Sequence, residues 1–199
     1  MEPPTAPAPP LAVKEKLRAA AIRLFARQGY ANTSVQEICT EAQVSKGAFY
    51  HHYASKDALL YGIYQPLLQL QTEHLANIAG QPLPVMQRLE AAAVDVLLTS
   101  LDRLDDLTVF LQSMHLLARD TWNQVSVARQ EYHQMFLALV YEGQQAGALR
   151  QDLNAELLAR HFFGAVHYLT TWYRQGGQWS AELITRGYVD LWLNGVRVV

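Results

Sequence analysis

The sequence is poor in the features that mark secreted and membrane proteins. It contains a single cysteine, Cys39, so no intramolecular disulfide can form, and we interpret its thiol as a small buried group. No apolar run approaches the roughly 20 residues that span a bilayer. The opening MEPPTAPAPPLAV lacks the basic and apolar regions of a signal peptide. We therefore expect a cytoplasmic protein without a membrane partner, beginning with a flexible arm over residues 1–12.

Motifs of catalytic chemistry are also missing. The sequence shows no nucleophile elbow with ordered Ser, His and Asp, no phosphate-cradling glycine loop and no carboxylate pair in a known motif. The adjacent His51 and His52 point about 100° apart on a helix, and no further ligand follows at metal-binding spacing. We expect no enzyme activity, no cofactor and no metal site.

Positive charge is scarce outside the first third of the chain. Residues 11–57 hold seven basic and four acidic residues, whereas residues 58–199 hold nine arginines and thirteen acids. All four lysines lie in the first of these stretches. A basic segment before an acidic body is typical of a nucleic-acid-binding module, although chance segregation of charge gives the same pattern.

Strand signals are absent as well, and almost every segment has helical periodicity. The fold class predicted is all-α, with about nine helices. The first helix carries an apolar stripe of Leu17, Ala20, Ala21, Leu24 and Phe25. Later helices are predicted at about 83–101, 105–119, 122–146, 155–175 and 180–196.

Between these regions the spacing predicts a helix-turn-helix. Ser34 and Glu37 have capping-box spacing, and Ser45 caps a short helix over 46–52. Another helix begins at Lys56 after Ser55. Three helices with a tight turn between the second and third form this DNA-binding motif.

Helix-turn-helix proteins place the second helix of the motif in the major groove, which assigns roles to the residues after the turn. Small Gly47 and Ala48 let the backbone approach the bases, and Lys46 supplies charge. Tyr50 and His51 face outward, whereas Phe49 and Tyr53 face the core. The helix starts at Thr33–Ser34 and Ser55–Lys56 are expected to hold phosphates. The predicted DNA-binding residues are Thr33, Ser34, Ser45, Lys46, Gly47, Ala48, Tyr50, His51 and Lys56.

The stretch AAIRLFARQGYANTSVQEICTEAQVSKGAFYHHYASKDALL resembles the DNA-binding domain of the tetracycline-repressor (TetR) family. The resemblance implies a helical homodimer that binds a palindromic operator and is released by a small ligand. It implies a DNA-binding domain over 13–58 and a ligand-binding and dimerisation domain over 59–199. One position departs from the family pattern, because Gln43 stands where the turn glycine is usual. A left-handed conformation there costs a side-chain-bearing residue about 1 kcal/mol.

The last two helices carry wide apolar stripes, which indicate burial against a partner helix and predict a four-helix dimer interface. An intramolecular core is the alternative explanation of the same stripes. The predicted interface residues are Leu157, Phe162, Ala165, Leu169, Leu183, Tyr188, Leu191 and Trp192.

The run HYLTTWYRQGGQWS, with GALR before it, resembles the branch of the family that senses acyl-coenzyme A thioesters. That resemblance implies an apolar channel for an acyl chain and arginines for the nucleotide phosphates. The alternative is a repressor that senses a drug or another lipophile and controls an efflux or catabolic operon. The predicted ligand-binding residues are Tyr64, Leu68, Met86, Leu89, Phe110, Met114, Arg119, Trp122, Phe136, Val140, Arg160, Phe163, His167, Trp172 and Arg174.

Overall fold

The computed structural model describes residues 10–198, and the predicted arm over 1–12 falls mostly outside them. Within that range the chain forms nine α-helices, no strand and one short 3-10 helix, which confirms the predicted all-α fold. The helices are α1 Pro10–Gln28, α2 Val35–Ala42, α3 Lys46–His52, α4 Lys56–Ala79, α5 Val85–Asp102, α6 Leu104–Ser113, α7 Arg119–Gln145, α8 Ala155–Trp172 and α9 Ala181–Val196.

The helix boundaries follow the predicted ones with one clear difference. The helix expected over 105–119 ends at Ser113 and gives way to the 3-10 turn Met114–Leu116. Leu117 is then extended, with ψ 140°, and α7 begins two residues later. The break arises because extended backbone at Leu117 cannot continue a helix.

The helices group into two compact units. One contains the described residues up to Tyr64 together with Val109–Trp122, and the other contains Gln65–Thr108 and the described residues from Asn123 onward. In the first unit, all five residues of the predicted α1 stripe are buried, as is Cys39 of α2. The predicted domain limits at 1–12, 13–58 and 59–199 stay a prediction.

The second unit has its own core. Helix α5 buries Leu89, Val96 and Leu97, and α8 and α9 bury Phe162 and Trp192 among others. The Trp192 indole N–H donates to the Leu158 carbonyl, which ties α9 to α8. No helix in the described part of the chain is long and apolar enough to cross a membrane.

Candidate functional site

The N-terminus of α2 is fixed by a reciprocal cap, as the sequence predicted. The Ser34 hydroxyl accepts the Glu37 N–H at 3.2 Å, and the Glu37 carboxylate accepts the Ser34 N–H at 2.7 Å. The second of these hydrogen bonds lowers the pKa of Glu37. The cap leaves Ser34 exposed at the start of α2, where a phosphate could approach.

The turn between α2 and α3 is built around Gln43 in the left-handed conformation, with φ 56° and ψ 45°. It is the one non-glycine residue with positive φ among residues 10–198. Its N–H donates to the Thr40 carbonyl at 3.1 Å, and the Val44 N–H donates to the Cys39 carbonyl at 3.0 Å. These two bonds end α2 in the manner of a glycine cap, so the tight turn persists despite the side chain.

Helix α3 presents a polar face to solvent. Its cap is Ser45, whose hydroxyl accepts the Ala48 N–H at 3.1 Å. Phe49 and Tyr53 are buried, which confirms that both face the core. The exposed residues of α3 are Lys46, Gly47, Tyr50 and His51, with Ala48 half-buried beside them. These are the residues that the helix-turn-helix interpretation places toward the bases.

Two of the predicted DNA-binding residues form hydrogen bonds within the first unit. Thr33 is buried, and its hydroxyl donates to the Gly29 carbonyl at 2.8 Å. The Lys56 ammonium donates to the carbonyls of Tyr30 and Thr33, both at 2.7 Å, and lies 4.2 Å from the centre of the Tyr30 ring. Burial lowers the pKa of Lys56. The Lys56 side chain therefore holds the turn between α1 and α2, and its predicted phosphate contact stays a prediction.

The predicted ligand-binding residues of the first unit fall into a buried and an exposed group. The rings of Tyr64 and Phe110 are both buried and stack with centroids 4.0 Å apart. Met114 is half-buried, whereas Arg119 and Trp122 are exposed. A polar residue that the sequence did not single out, Asp57, also lies in this unit.

The second unit brings together an aromatic cluster that consists of Phe136, Phe162, Phe163 and Trp192. The rings of Phe136 and Phe162 stack with centroids 5.3 Å apart, and the Phe162 and Trp192 centroids are 4.8 Å apart. The cluster mixes residues predicted for the ligand site with residues predicted for the dimer interface. Other predicted ligand residues of this unit are buried (Leu68, Leu89 and Val140) or half-buried (Met86).

A neutral imidazole lies beside this cluster. The ring centroids of His167 and Phe163 are 6.4 Å apart. Burial, and secondarily the nearby positive charge of Arg129, lower the pKa of His167 to about 4. At neutral pH the ring is therefore uncharged, with a donor and an acceptor nitrogen. Arg129 was missed at the sequence level because it has no motif around it.

The other arginines predicted to bind phosphates lie on the surface of this unit. Arg160 forms an ion pair with the Glu156 carboxylate at 2.7 Å. The same carboxylate accepts a hydrogen bond from Nε2 of His133 at 3.0 Å. Arg174 is exposed, and its guanidinium donates a hydrogen bond to the backbone carbonyl of the preceding residue, Tyr173.

The predicted dimer residues divide in the same way. Phe162, Leu169 and Trp192 are buried within the chain, which fits the intramolecular alternative for these three, and Ala165 and Tyr188 are half-buried. The exposed ones are Leu157, Leu183 and Leu191, with 62%, 41% and 75% of their surface accessible.

Two aromatic residues extend the exposed apolar surface. Tyr168 and Trp172 are 64% and 38% accessible, and they follow Leu157 on one side of α8 at helical spacing. A hydrogen bond with the Trp172 side chain joins Tyr188 of α9 to this side of α8. We refer to Leu157, Tyr168, Trp172, Leu183 and Leu191 as the exposed apolar face. The sequence singled out Trp172 only as a ligand residue.

A helix-turn-helix with an exposed polar recognition helix, followed in the chain by a wholly helical half, defines a class of bacterial DNA-binding regulators. The family model for bacterial regulatory proteins of the tetR family matches residues 17–62. The model for the tetracyclin repressor-like C-terminal domain matches residues 82–196. The chain belongs to the tetracycline-repressor family of transcriptional regulators.

One sequence relative agrees with this assignment, and two solved structures have a similar fold. The transcriptional repressor KstR2 of Mycolicibacterium smegmatis is 26% identical over an alignment that covers 97% of this chain and 95% of that protein. The structure of the ketosteroid regulator KstR2 of Mycobacterium tuberculosis matches with a TM-score of 0.81 at 21% identity, over 94% of this chain and 95% of that one. The structure of AibR in complex with isovaleryl coenzyme A and operator DNA matches with a TM-score of 0.77 at 23% identity, over 90% and 97% of the chains.

Proposed function

We propose that the protein is a ligand-responsive repressor that binds a palindromic operator as a homodimer and is released by an acyl-coenzyme A thioester. The observation that carries the DNA-binding part is the exposed face of α3, with Lys46, Tyr50 and His51 presented together on a capped helix. Two such helices about 34 Å apart reach successive major grooves of B-DNA.

The exposed apolar face supports the homodimer. Large apolar side chains that stand open to solvent on two adjacent helices are costly in a monomer, and a second copy can cover them. A two-fold axis at this face makes a four-helix interface, since each copy contributes α8 and α9.

The thioester is supported by one solved structure of similar fold and by two side chains of the second unit. AibR, a protein of the same fold, forms a complex with isovaleryl coenzyme A and operator DNA. In this chain Phe163 is the half-buried member of the aromatic cluster and offers an apolar contact for an acyl chain, and the neutral His167 beside it offers a donor for a carbonyl oxygen. The surface arginines Arg160 and Arg174 are the proposed phosphate partners outside it.

A neutral lipophile is the second candidate effector. The half-buried ring of Phe163 and the uncharged imidazole of His167 suit such a ligand without any phosphate contact, and Arg160 is already paired with Glu156. KstR2 of Mycobacterium tuberculosis is described as a ketosteroid regulator, which is consistent with a lipophilic effector in a protein of this fold.

The two candidates are separated by a ligand series. Purified protein is combined with a duplex selected from a random pool by the same protein, and release is followed by fluorescence anisotropy. Acyl-coenzyme A thioesters of increasing chain length are compared with the free acids, free coenzyme A, neutral steroids and cationic drugs. A ligand at 100 times its dissociation constant also stabilises the fold by about 2.7 kcal/mol in thermal unfolding.

Release that needs both the acyl chain and the coenzyme A moiety supports the thioester. Release by free acids or steroids, with no response to any thioester, rejects the thioester and supports the neutral lipophile. Failure of the protein to select any duplex contradicts the DNA-binding role itself.

A further inference from the structure

The carboxylate of Asp57 joins two parts of the first unit that are far apart in sequence. One of its oxygens accepts the hydroxyl of Tyr30, at the turn between α1 and α2. The other accepts the backbone N–H of Ala118 at 2.8 Å, 61 residues further along the chain. Both oxygens of this half-buried group therefore have a donor, and each donor comes from a different segment.

Tyr30 is the residue through which Asp57 reaches the DNA-binding helices. Its ring lies 5.1 Å from that of Phe25, and its carbonyl accepts both the Lys56 ammonium and the Thr33 N–H. Ser34, the cap of α2, follows directly on Thr33. The position of Tyr30 thus fixes the start of α2.

Burial, followed by the hydrogen bond and charge of Asp57, raises the pKa of Tyr30 well above its usual value. The hydroxyl therefore stays protonated as the donor at any physiological pH.

Ala118 is the residue through which Asp57 reaches the segment Val109–Trp122, which we call the α7-entry segment. Its carbonyl accepts the Trp122 N–H, so Ala118 lies at the start of α7. A second contact from α4 reaches the same segment, where Tyr64 stacks on Phe110. Asp57 and Tyr64 are seven residues apart, which places them two turns apart on one side of α4.

An acidic residue in the first turn of a helix is common, since it interacts favourably with the helix dipole. That general effect needs no particular partner and leaves the carboxylate free to face water. It does not account for two separate donors from the α1–α2 turn and from the start of α7.

We infer that Asp57 is a positioning residue for DNA binding, because its carboxylate ties the turn that seats the α2 cap to the α7-entry segment. Displacement of that segment withdraws the Ala118 N–H and loosens the hold on Tyr30, so the start of α2 loses its fixed position. The idea that an effector causes this displacement of the α7-entry segment rests on the proposed function.

The test breaks each end of the link and observes the opposite end in the full-length protein. Ala118→Pro removes the N–H donor, and the extended Leu117 before it has the backbone conformation that a following proline requires. Ala118→Ser is the matched control, because it keeps the N–H. Tyr30→Phe removes only the hydroxyl donor. Amide hydrogen exchange is measured over residues 29–37 and 117–124, with α8 as an internal reference.

The link predicts that Ala118→Pro raises exchange over residues 29–37 by about threefold or more, with Ala118→Ser unchanged. In the reverse direction, Tyr30→Phe raises exchange over residues 117–124. Both variants should weaken binding to the selected duplex. No change over 29–37 in a folded Ala118→Pro protein overturns the inference, and if that variant does not fold, no change over 117–124 in Tyr30→Phe does so.

Neither measurement uses an effector. The result for Asp57 is therefore separate from the ligand series, and a failed thioester would leave the exchange result intact.

Discussion

The ring of Tyr53 lies directly against the backbone of Gly62. A Cβ atom at position 62 would be 2.8 Å from the Tyr53 Cε1 atom, closer than side chains normally approach. Tyr53 is the cap that ends the recognition helix α3, and Gly62 lies in the second turn of α4. This contact sets the distance between the end of α3 and α4. Burial raises the pKa of Tyr53 to about 12, in keeping with its enclosed position.

Gly62→Ala should therefore destabilise the protein, although alanine favours helices. The added methyl displaces the Tyr53 ring, at a cost of about 1–3 kcal/mol that exceeds the helix-propensity gain of about 1 kcal/mol. Binding to the selected duplex should weaken too, since the end of α3 shifts. Urea unfolding and anisotropy titration measure the two effects. In a Tyr53→Leu background the same substitution should become neutral or stabilising, and a persistent loss there would show that the ring is not the cause.

Replacement of Gln43 by glycine should stabilise the protein by about 1 kcal/mol. Gln43 holds φ 56°, which glycine adopts without the steric cost that other residues incur. Thermal unfolding of Gln43→Gly against the parent checks the gain, and Gln43→Val should lose stability for the same reason. A lower melting temperature in Gln43→Gly would mean that the Gln43 side chain makes a stabilising contact that outweighs the backbone cost.

The two lysines of the motif should behave differently when replaced by alanine. Lys46 is exposed, so Lys46→Ala should lower duplex affinity and reduce the salt slope by about 1 without changing stability. Lys56 donates to two backbone carbonyls, so Lys56→Ala should lower stability by about 1.5–3 kcal/mol. Anisotropy at several salt concentrations and urea unfolding give both quantities. Equal stability of the two variants would contradict the internal role of Lys56.

Leu191→Glu should convert the proposed dimer to monomers. Leu191 is 75% accessible on the exposed apolar face, and a charge there is desolvated when two copies meet. Val127→Glu is the matched control, because Val127 is 68% accessible but belongs to α7 and is not one of the residues of the exposed apolar face. Light scattering after size-exclusion chromatography should give Leu191→Glu half the molecular mass of the parent protein. The control Val127→Glu should keep the mass of the parent. A parent protein that is already monomeric would refute the dimer proposal.

Acid should destabilise the protein through His167. Its folded pKa of about 4 lies below the ordinary value of 6.5, so between these values the unfolded chain binds a proton that the folded chain does not. The free energy of unfolding therefore decreases as the pH falls from about 6.5 toward 4. At pH 5 it should be about 2 kcal/mol lower than at pH 7. Urea unfolding at pH 7 and pH 5 measures the loss, which His167→Gln should reduce by that amount. The same pH dependence in both proteins would rule out His167 as its source.

Local features of the motif were predictable from the sequence because they depend on neighbours in the chain. The Ser34–Glu37 cap, the tight turn before Ser45 and the inward side of α3 each involve residues within a few positions of one another. The apolar stripe of α1 was predictable too, since helical periodicity alone places its residues on one side.

The positions of the helices in the C-terminal half were predictable from the sequence. Which of their apolar residues pack in the core and which are exposed was not predictable. Both Phe162 and Leu191 belong to apolar stripes, yet the first packs in the core and the second stands in solvent. An apolar stripe shows which side of a helix is apolar. It does not show whether the residues that pack against that side belong to the same chain or to a second chain.

The sequence by itself thus determined the helical class, the family and the recognition helix, all of which follow from local periodicity and from motif residues in order. The tertiary structure decided that Lys56 holds the α1–α2 turn, that Asp57 links Tyr30 to Ala118, and that His167 lies near Arg129. These relationships join residues that lie 23 to 61 positions apart, and the identity of a distant partner depends on how the helices pack.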